Sequence, residues 1–339
     1  MASFDVVIAT IGRPTLEPLL ASLVAEEGSE LRRVLVVDDR RHADRPLVSP
    51  SDELMLPGVE ILRGRAPGPA AARNVGWRAA SADWVAFLDD DVSIPDGWVA
   101  ACAADLDELE DDVAASQGGI VVPLPAERPA TDSERNVACL EGARWATADM
   151  AYRRGALERL GGFDERFPRA YREDSDLALR ALDAGYRIVE GRRSVLHPVR
   201  PADRWVSVRL QRGNADDALM RALHGGDWRR RAGAARGSLP AHVATVGLGV
   251  SAIIGVAMRV RSVAAIAGAA CLAATVAFAS RRIAPGPRDR REILTMLGTS
   301  AVIPWAAVGH RLAGEVRARR LRGRSTRPLS AEAVEPVSV

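Results

Sequence analysis

Three consecutive carboxylates, Asp89, Asp90 and Asp91, directly follow the apolar run Trp84–Leu88. Adjacent like charges repel one another, and a hydrophobic core gains nothing from them. A divalent cation offsets this repulsion, and hard cations such as Mg²⁺ and Mn²⁺ bind carboxylate oxygens together with the phosphate oxygens of a ligand. The three residues therefore predict a metal site that grips phosphate, and a solvated acidic turn is the alternative.

The elements around these residues predict an α/β fold. Short apolar runs rich in β-branched residues alternate with helical patterns through the first half of the chain. This alternation predicts a mostly parallel sheet covered by helices on both faces, in which ligands bind at the carboxyl ends of the strands. We expect strands at Phe4–Ala9, Val34–Val37, Val59–Leu62, Trp84–Leu88, Ile120–Pro123 and Tyr186–Glu190, and helices at Leu16–Glu26 and Pro95–Leu109.

Several motifs, in order, resemble those of the inverting family 2 glycosyltransferases, which have the GT-A fold. Phe87–Val92 resembles their DxD motif, and Val6–Pro14 resembles their first strand and donor-binding loop. Val36–Asp39 resembles their second strand, and Pro67–Gly76 their glycine-containing segment with an Ala-Arg-Asn helix start. The resemblance covers roughly Phe4–Ala218. It implies a Rossmann-like GT-A domain that moves a sugar from a nucleotide-diphosphate donor to an acceptor.

The resemblance implies a nucleotide-sugar site at the strand ends. Asp38 and Asp39 are expected to accept hydrogen bonds from a base N–H and a ribose hydroxyl, with a helix cap or turn as the alternative. Arg73 is placed to meet phosphate or to brace the carboxylates, with a structural ion pair as the alternative. The amides of the helix after Gly68 favour an anion. The predicted donor-binding residues are Thr10, Arg13, Asp38, Asp39, Gly68, Arg73, Asp89 and Asp90.

The resemblance also places the catalytic base in the pair Glu173-Asp174. Inverting transfer needs one carboxylate to take the proton from the attacking acceptor hydroxyl. We predict Asp174 as the base and Glu173 as the alternative, although an acidic first turn also stabilises a helix without any catalytic role. The region of Asp149, Gly162 and Asp164 resembles the wall of the acceptor site, and for Asp164 a turn or helix start fits nearly as well.

A late histidine, His197, follows the last predicted strand. Many GT-A enzymes supply such a histidine to the metal, so the resemblance implies a Mn²⁺ or Mg²⁺ site formed by Asp89, Asp91 and His197. A lone histidine is also commonly structural. A neutral imidazole would complete a site otherwise made of Asp91, diphosphate oxygens and water.

Charge and hydropathy divide the chain. Residues 1–228 carry 28 Arg against 39 acidic residues, whereas the chain from 229 onward carries 18 Arg against 5. An acidic front half argues against nucleic-acid binding. Leu239–Met258 and Ser262–Ser280 lack Asp, Glu and Arg and are about long enough to span a bilayer, so they predict a helical hairpin. Arginine clusters at both outer ends predict that these ends, and the catalytic domain, face the cytoplasm.

A third apolar run, Ile293–Val308, is shorter and contains Pro304. We predict an interfacial or re-entrant helix there, and buried helices of a soluble domain are the alternative for all three runs. The predicted domains are a catalytic domain at 1–228, a membrane-associated helical region at 229–310 and a disordered Arg-rich tail at 311–339. A membrane location favours a glycan or lipid-linked acceptor, as in envelope or lipid-linked glycan synthesis.

Other observations limit the function class. The three cysteines, Cys102, Cys139 and Cys271, form no CxxC pair, so neither a zinc site nor a disulfide framework is predicted. The first residues resemble a strand, so we expect no signal peptide. A sugar nucleotidyltransferase remains an alternative, although Thr10–Pro14 is short for its Gly-rich basic loop. A non-catalytic membrane-bound nucleotide-sugar-binding protein is a second alternative, against which the acidic motifs argue.

Overall fold

The chain forms two compact units. Within the described residues, the first holds the chain up to Pro123 together with Leu140–Pro198, and the second holds Leu124–Cys139 and residues 199–322. Pro67, from the predicted glycine-containing segment, lies outside the described part of the chain. The computed structural model describes residues 2–26, 28–42, 46–47, 58–65 and 68–322.

A seven-stranded sheet forms the centre of the first unit, in the order β3-β2-β1-β4-β6-β5-β7. All neighbouring strands are parallel except β6, which runs antiparallel to both β4 and β5. The central strands β1 and β4 are buried on both faces, as expected for a sheet that helices cover on each side. The strands are β1 (Phe4–Thr10), β2 (Leu31–Asp38), β3 (Val59–Arg63), β4 (Trp84–Asp89), β5 (Val113–Val121), β6 (Asp149–Arg153) and β7 (Arg187–Leu196).

The register of β1 brings the functional strand ends together. Thr10 lies beside Asp38 of β2, and Ala9 lies beside Asp89 of β4. Because parallel strands end at the same edge of a sheet, the carboxylates that end β2 and β4 share that edge with the loop after β1.

Helices flank the sheet in the first unit and make up the described second unit. The first unit contains α1–α3, α5 and α6, and the second contains α4 and α7–α12. In chain order they are α1 (Leu16–Ala25), α2 (Pro69–Ala79), α3 (Trp98–Leu106), α4 (Asp132–Ala138), α5 (Arg154–Leu160), α6 (Glu173–Asp183), α7 (Val206–Arg209), α8 (Gly213–His224), α9 (Trp228–Arg231), α10 (Leu239–Ala257), α11 (Arg261–Ile283) and α12 (Arg290–Arg322).

Helix α2 packs closely on the sheet beside the shared edge. It begins at Pro69, where the missing backbone N–H costs no hydrogen bond. Gly76 permits the close approach, because a Cβ at this position would lie 2.3 Å from Cγ1 of Val7 in β1. The first turns of α2 are thereby fixed next to the ends of β1 and β4.

The second unit contains three helices, α10, α11 and α12, that are long and apolar enough to cross a membrane. A polar cluster centres on Arg282, at the end of α11. Its guanidinium NH2 lies 2.6 Å from Asp132, and its NH1 donates to Thr299 at 2.7 Å and to Ser300 at 2.9 Å. This cluster joins α4, α11 and α12, since each element supplies a partner.

Most predicted elements of the sheet are confirmed, with bounds that differ by a few residues. The strand predicted at Ile120–Pro123 is instead the end of the longer β5, Val113–Val121. Ser116 and Gln117 interrupt the apolar pattern of this strand, so its first part lacks the usual signal. The sheet is mostly parallel, as predicted, and its one antiparallel strand, β6, is a strand that the sequence analysis does not predict.

The predicted disordered tail is wrong for residues 311–322. They form the last turns of α12, which begins at Arg290 and includes the predicted helix Ile293–Val308. Arg311 and Glu315, one turn apart, form an ion pair that supports these turns. The remainder of the predicted tail, residues 323–339, lies outside the described residues.

Candidate active site

Asp89, Asp91 and His197 lie together at the shared edge of the sheet. One ligand atom from each lies within 4.8 Å of the other two. Asp89 ends β4 and Asp91 follows in the next turn, whereas His197 comes directly after β7. Two backbone hydrogen bonds of 2.8 Å between Ser93 and Leu196 bring these segments side by side. A sequence separation of more than one hundred residues is thus closed by one short antiparallel bridge.

The chemistry of this group fits a divalent cation. Two carboxylates and one imidazole, without a thiolate, form a donor set for a hard or borderline metal ion. Nε2 of His197 lies 3.5 Å from Asp91 Oδ1, so both groups point into the same space. Nδ1 of His197 is buried and has no hydrogen-bond partner within the described ranges. The predicted ligand set Asp89, Asp91 and His197 is therefore brought together.

Asp90 points to the loop after β1. Its Oδ2 accepts a hydrogen bond from Thr10 Oγ1 at 2.5 Å, and its Oδ1 is paired with Arg13. Its backbone oxygen accepts from Thr15 Oγ1 at 2.6 Å, and Gly12 N donates to Thr10 Oγ1 at 2.9 Å. Asp90 is almost fully buried, so it holds the predicted donor loop in place rather than offering a free carboxylate.

Asp38 and Asp39, at the end of β2, differ in their partners. Asp38 is bound by Arg40 at 2.8 Å and by Arg63 at 3.1 Å. Burial alone would raise the pKa of Asp38, but hydrogen bonds and charge from Arg40 hold it below its ordinary value. Asp39 accepts from the amide of Gly68 at 2.9 Å, and burial raises its pKa. Both predicted residues, and Gly68, therefore lie at the shared edge.

Arg73, in the first turns of α2, contacts the acidic triplet at Asp89 and the Glu173-Asp174 pair at Glu173. Its NH2 donates to Asp89 Oδ1 at 2.8 Å and its NH1 donates to Glu173 Oε1 at 2.7 Å. Both contacts are ion pairs, so they fit the brace between carboxylates and equally the structural ion pair. Sequence separations of 16 and 100 residues are bridged by this one guanidinium.

The two candidate bases occupy different environments. Glu173 is buried, paired with Arg73, and its Oε2 has no hydrogen-bond partner in the part of the chain that the structure describes. Asp174 is half-buried, and its Oδ1 accepts from the amide of Ser175 at 2.6 Å. Burial raises the pKa of both carboxyls, and the charge of Asp174 adds to the rise at Glu173. Asp174 is the more accessible of the two.

The predicted acceptor wall is not formed as expected. Asp149 is fully buried, where Trp98 Nε1 donates to it at 3.0 Å and Arg193 Nε at 2.7 Å. Its carboxylate is used inside the fold, which corrects the prediction that it faces an acceptor. Asp164 pairs with Arg166 two residues later and accepts from its amide, so the turn interpretation fits Asp164.

Gly162 has a packing role beside α2. Its φ of +73° favours glycine, and a Cβ there would lie 2.4 Å from Oδ1 of Asn74. Asn74 donates to the backbone oxygen of Phe163 at 2.9 Å and accepts from Trp77 Nε1 at 2.8 Å. The asparagine of the Ala-Arg-Asn segment is thus a structural residue that the sequence prediction missed, and its signal was its place directly after Arg73.

Other missed residues are the arginines that partner the acidic groups. Arg40 and Arg63 hold Asp38, and Arg193 holds Asp149. Arg40 follows the Asp-Asp pair in sequence and could have been noticed. No local pattern marks Arg193, because its partner lies 44 residues away.

Comparisons with known proteins agree with this geometry. Residues 5–161 match the family model for glycosyl transferase family 2. The chain is similar to the pre-mycofactocin glycosyltransferases of two Mycobacterium tuberculosis strains, with 32% identity over 170 residues. The matched part is 46% of this chain and 35% of theirs, so the chain spans about a third of the length of these curated relatives.

Among solved structures, the fold is similar to that of a mannosyltransferase from Pyrobaculum calidifontis in complex with GDP-Man and Mn²⁺. The TM-score is 0.55 and the identity 19%, over 91% of this chain and 86% of that one. This likeness shows the fold. Residues 5–161, which carry the strand ends and the acidic triplet of the site, are thus similar to glycosyl transferase family 2, and the chain has the GT-A fold.

Proposed function

We propose that this protein transfers a sugar from a nucleotide-diphosphate donor to an acceptor hydroxyl, with inversion at the anomeric carbon and with help from a divalent metal. The observation that carries the proposal is the contact of Arg73 with both Asp89 and Glu173. Because one guanidinium bonds to a candidate metal ligand and to the neighbour of the candidate base, these contacts support a single site in which a donor and an acceptor meet.

The donor is expected at the ends of β1 and β2. Asp39, with a pKa raised by burial, lies where a base or ribose of the nucleoside reaches the edge. The loop from Thr10 to Arg13 is held by Asp90 and borders the same space. The first turns of α2, after Gly68, present backbone amides that favour a diphosphate.

Asp89, Asp91 and His197 would hold the metal. When bound there, Mn²⁺ or Mg²⁺ supplies Lewis-acid stabilisation of the charge on the leaving diphosphate. The carboxylates and the imidazole orient the ion and are themselves fixed by the β4 end and the bridge after β7.

Asp174 acts as the general base. Oδ1 is occupied by the amide of Ser175, which leaves Oδ2 to take the proton of the acceptor hydroxyl. The acceptor oxygen then forms the new bond to the anomeric carbon while the bond from that carbon to the diphosphate breaks. One displacement without a covalent enzyme intermediate inverts the configuration.

We further propose that the protein is bound to a membrane through the α10–α11 hairpin, with the catalytic domain in the cytoplasm. The support is the length and hydropathy of these helices together with the arginines at their outer ends. An acceptor at that surface is a lipid-linked or envelope glycan.

The test is a screen of nucleoside-diphosphate sugars with Mn²⁺ or Mg²⁺, measured first as a rise in melting temperature, since a ligand that binds only the folded state stabilises it. Donors that bind are then assayed with membrane extracts as acceptor. Release of a nucleoside diphosphate supports glycosyl transfer. Release of pyrophosphate supports nucleotidyl transfer instead, and failure to bind any donor with metal present supports a non-catalytic protein.

A further inference from the structure

Arg73 is enclosed by the protein and has no free face for a ligand. Its side chain is only 3% exposed, and both terminal nitrogens are engaged by carboxylates. The ring of Phe163 covers the guanidinium, with Cζ 5.7 Å from the ring centroid. An arginine that bound phosphate directly would present one of its nitrogens to the cleft, so a different role is needed for this residue.

We propose that Arg73 is a positioning residue that fixes the donor-side ligand Asp89 and the acceptor-side base Asp174 relative to each other, acting on Asp174 through its neighbour Glu173. This inference rests on the proposed function. The two partners of Arg73 come from different elements, since Asp89 ends β4 and Glu173 begins α6. By linking β4 to α6, Arg73 sets the distance between the metal ligand Asp89 and the base Asp174.

The residue type suits this task. A guanidinium is planar and always charged, and it presents its N–H groups in a rigid fork, so two carboxylates on different sides are held at fixed angles. A lysine ammonium is a single point of charge on a flexible stem and cannot hold both in that geometry. The positive charge of Arg73 also compensates Glu173, a buried carboxylate whose second oxygen has no partner among the described residues.

The surroundings hold Arg73 itself in place. Its neighbour Asn74 ties α2 to the backbone at Phe163, and Gly162 packs so closely against Asn74 that a Cβ at Gly162 would lie 2.4 Å from Asn74 Oδ1. Helix α2 is in turn packed against β1 at Gly76. The Ala-Arg-Asn segment therefore works as a unit in which one side chain anchors the helix and the other aligns the site.

Consequences differ for the two partners. Asp89 remains 29% exposed, and because Oδ1 is taken by Arg73, Oδ2 is left to face the metal position. Partners that orient a ligand in this way typically contribute about 10- to 100-fold to metal affinity. Glu173 is buried and is the first residue of α6. Its loss is therefore expected to change the position of Asp174 relative to the acceptor but not the binding of the metal by Asp89.

The experiment compares three variants by two measurements. Mn²⁺ affinity of the full-length protein is measured by isothermal titration without donor or acceptor, and kcat is measured at saturating donor and Mn²⁺. Arg73→Lys keeps the charge and loses the fork, so any change reports geometry. Glu173→Gln removes the negative charge with which Arg73 pairs on the side of the base, so it weakens only the arm toward the base. Arg78→Lys is the matched control, since Arg78 lies on the same helix and pairs at 3.9 Å with Glu165, which is not one of the carboxylates of the site.

We expect Arg73→Lys to weaken Mn²⁺ binding about 10-fold and to lower kcat about 100-fold. Glu173→Gln is expected to lower kcat by more than tenfold while Mn²⁺ affinity stays within about twofold, and Arg78→Lys changes neither. The proposal is overturned if Arg73→Lys binds Mn²⁺ like the wild type. It is also overturned if Glu173→Gln weakens Mn²⁺ binding as much as Arg73→Lys does, because the arginine would then serve only general stability.

Near-UV circular dichroism checks that each variant is folded. If Arg73→Lys does not fold, Glu173→Gln still decides, because a wild-type kcat in this variant contradicts the link to the base. Failure of the proposed function is a separate outcome. It appears as a wild-type protein that releases no nucleoside diphosphate from any donor, whereas the Mn²⁺ titration tests the hold of Arg73 on Asp89 without a donor.

Discussion

The sheet edge of the first unit and the α10–α11 hairpin of the second treat charge and apolar surface in opposite ways. At the sheet edge of the first unit, carboxylates are buried and held by arginines, as in Asp90 with Arg13 and Glu173 with Arg73. In the second unit, α10 and α11 leave most of their apolar surface exposed. Only 22% of the most apolar stretch of α10 is buried, and only 11% of that of α11. Ile266, on α11, is 72% exposed.

This difference fits the partners that we propose for each unit. Buried charges are costly unless the fold supplies counter-charges, so the first unit positions its reactive groups by itself. A contiguous exposed apolar surface marks an interaction site, and the proposed lipid partner fits two helices of this length whose apolar runs, Leu239–Met258 and Ser262–Ser280, carry no Asp, Glu or Arg. Chemistry and location are therefore assigned to different residues, and substitutions can separate them.

The largest loss of activity is expected at Asp91, a candidate metal ligand in the first unit that lies outside the α10–α11 hairpin. Asp91→Ala removes one of three ligands, and we expect transfer to fall by about 10³-fold or more, equivalent to about 4 kcal/mol in the barrier. Vesicle binding stays unchanged. Asp96→Ala, an exposed acid in the same segment, is the control. Full activity of Asp91→Ala in a donor-turnover assay would remove the metal site from the mechanism.

The next effect concerns the base. Asp174→Asn retains the shape of the side chain but not its ability to take a proton, so we expect kcat to fall by about 10²- to 10⁴-fold with donor binding retained. The melting-temperature rise with donor and Mn²⁺ measures that binding. If Asp174→Asn stays active while Glu173→Gln is dead, Glu173 is the base and the more exposed carboxylate has another role.

The sequence predicts the sheet edge well because local pattern and topology act together there. β-branched apolar runs mark β1, β2 and β4, and parallel pairing brings their last residues side by side, as Thr10 and Asp38 show. The acidic triplet needs no distant information to be recognised. What it does not reveal is that Asp90 turns toward Thr10 while its neighbours turn toward His197.

Long-range partners explain the errors. Asp149 begins β6 and resembles a site residue in sequence, but its carboxylate forms an ion pair with the buried Arg193 of β7. The sequence analysis also misses β6 itself, because its antiparallel pairing with β4 and β5 is not encoded by any local pattern. Likewise, the Arg-rich stretch is predicted to be a disordered tail because of its charge. Arginine, alanine and leucine all favour a helix, however, and α12 continues through this stretch to Arg322.

A third prediction sharpens the membrane half of the comparison. Ile266→Asp places a charge on α11, and we expect binding to anionic lipid vesicles to weaken by about 100-fold, from about 3 kcal/mol for an aspartate within the bilayer. Leu312→Asp tests α12 at a similarly exposed position near Arg311 and Glu315. We expect less than a threefold change there if α12 lies at the interface.

Flotation of the full-length variants with vesicles measures both effects. Equal losses from Ile266→Asp and Leu312→Asp would mean that α12 enters the bilayer as α11 does. No loss from Ile266→Asp would contradict the membrane role of the hairpin. Donor turnover with a soluble acceptor analogue is the control, since neither residue belongs to the site.

The smallest effect is a pH dependence confined to the first unit. Burial raises the pKa of Asp174 and raises that of Glu173 to about 7, so the carboxylate form of the pair is lost at a higher pH than for exposed acids. The base must be ionised, and kcat/KM should therefore fall as pH drops through the raised pKa, by about tenfold for each pH unit below it. Stability has the opposite sign, because carboxyls with a raised folded pKa favour the folded state when protonated and lose that contribution as pH rises through the folded value. If kcat/KM instead falls only near the ordinary pKa of an exposed aspartate, the base is solvated. The catalytic carboxylate would then not share the burial of the other charged groups at the sheet edge, and the contrast with the exposed apolar hairpin would not include it.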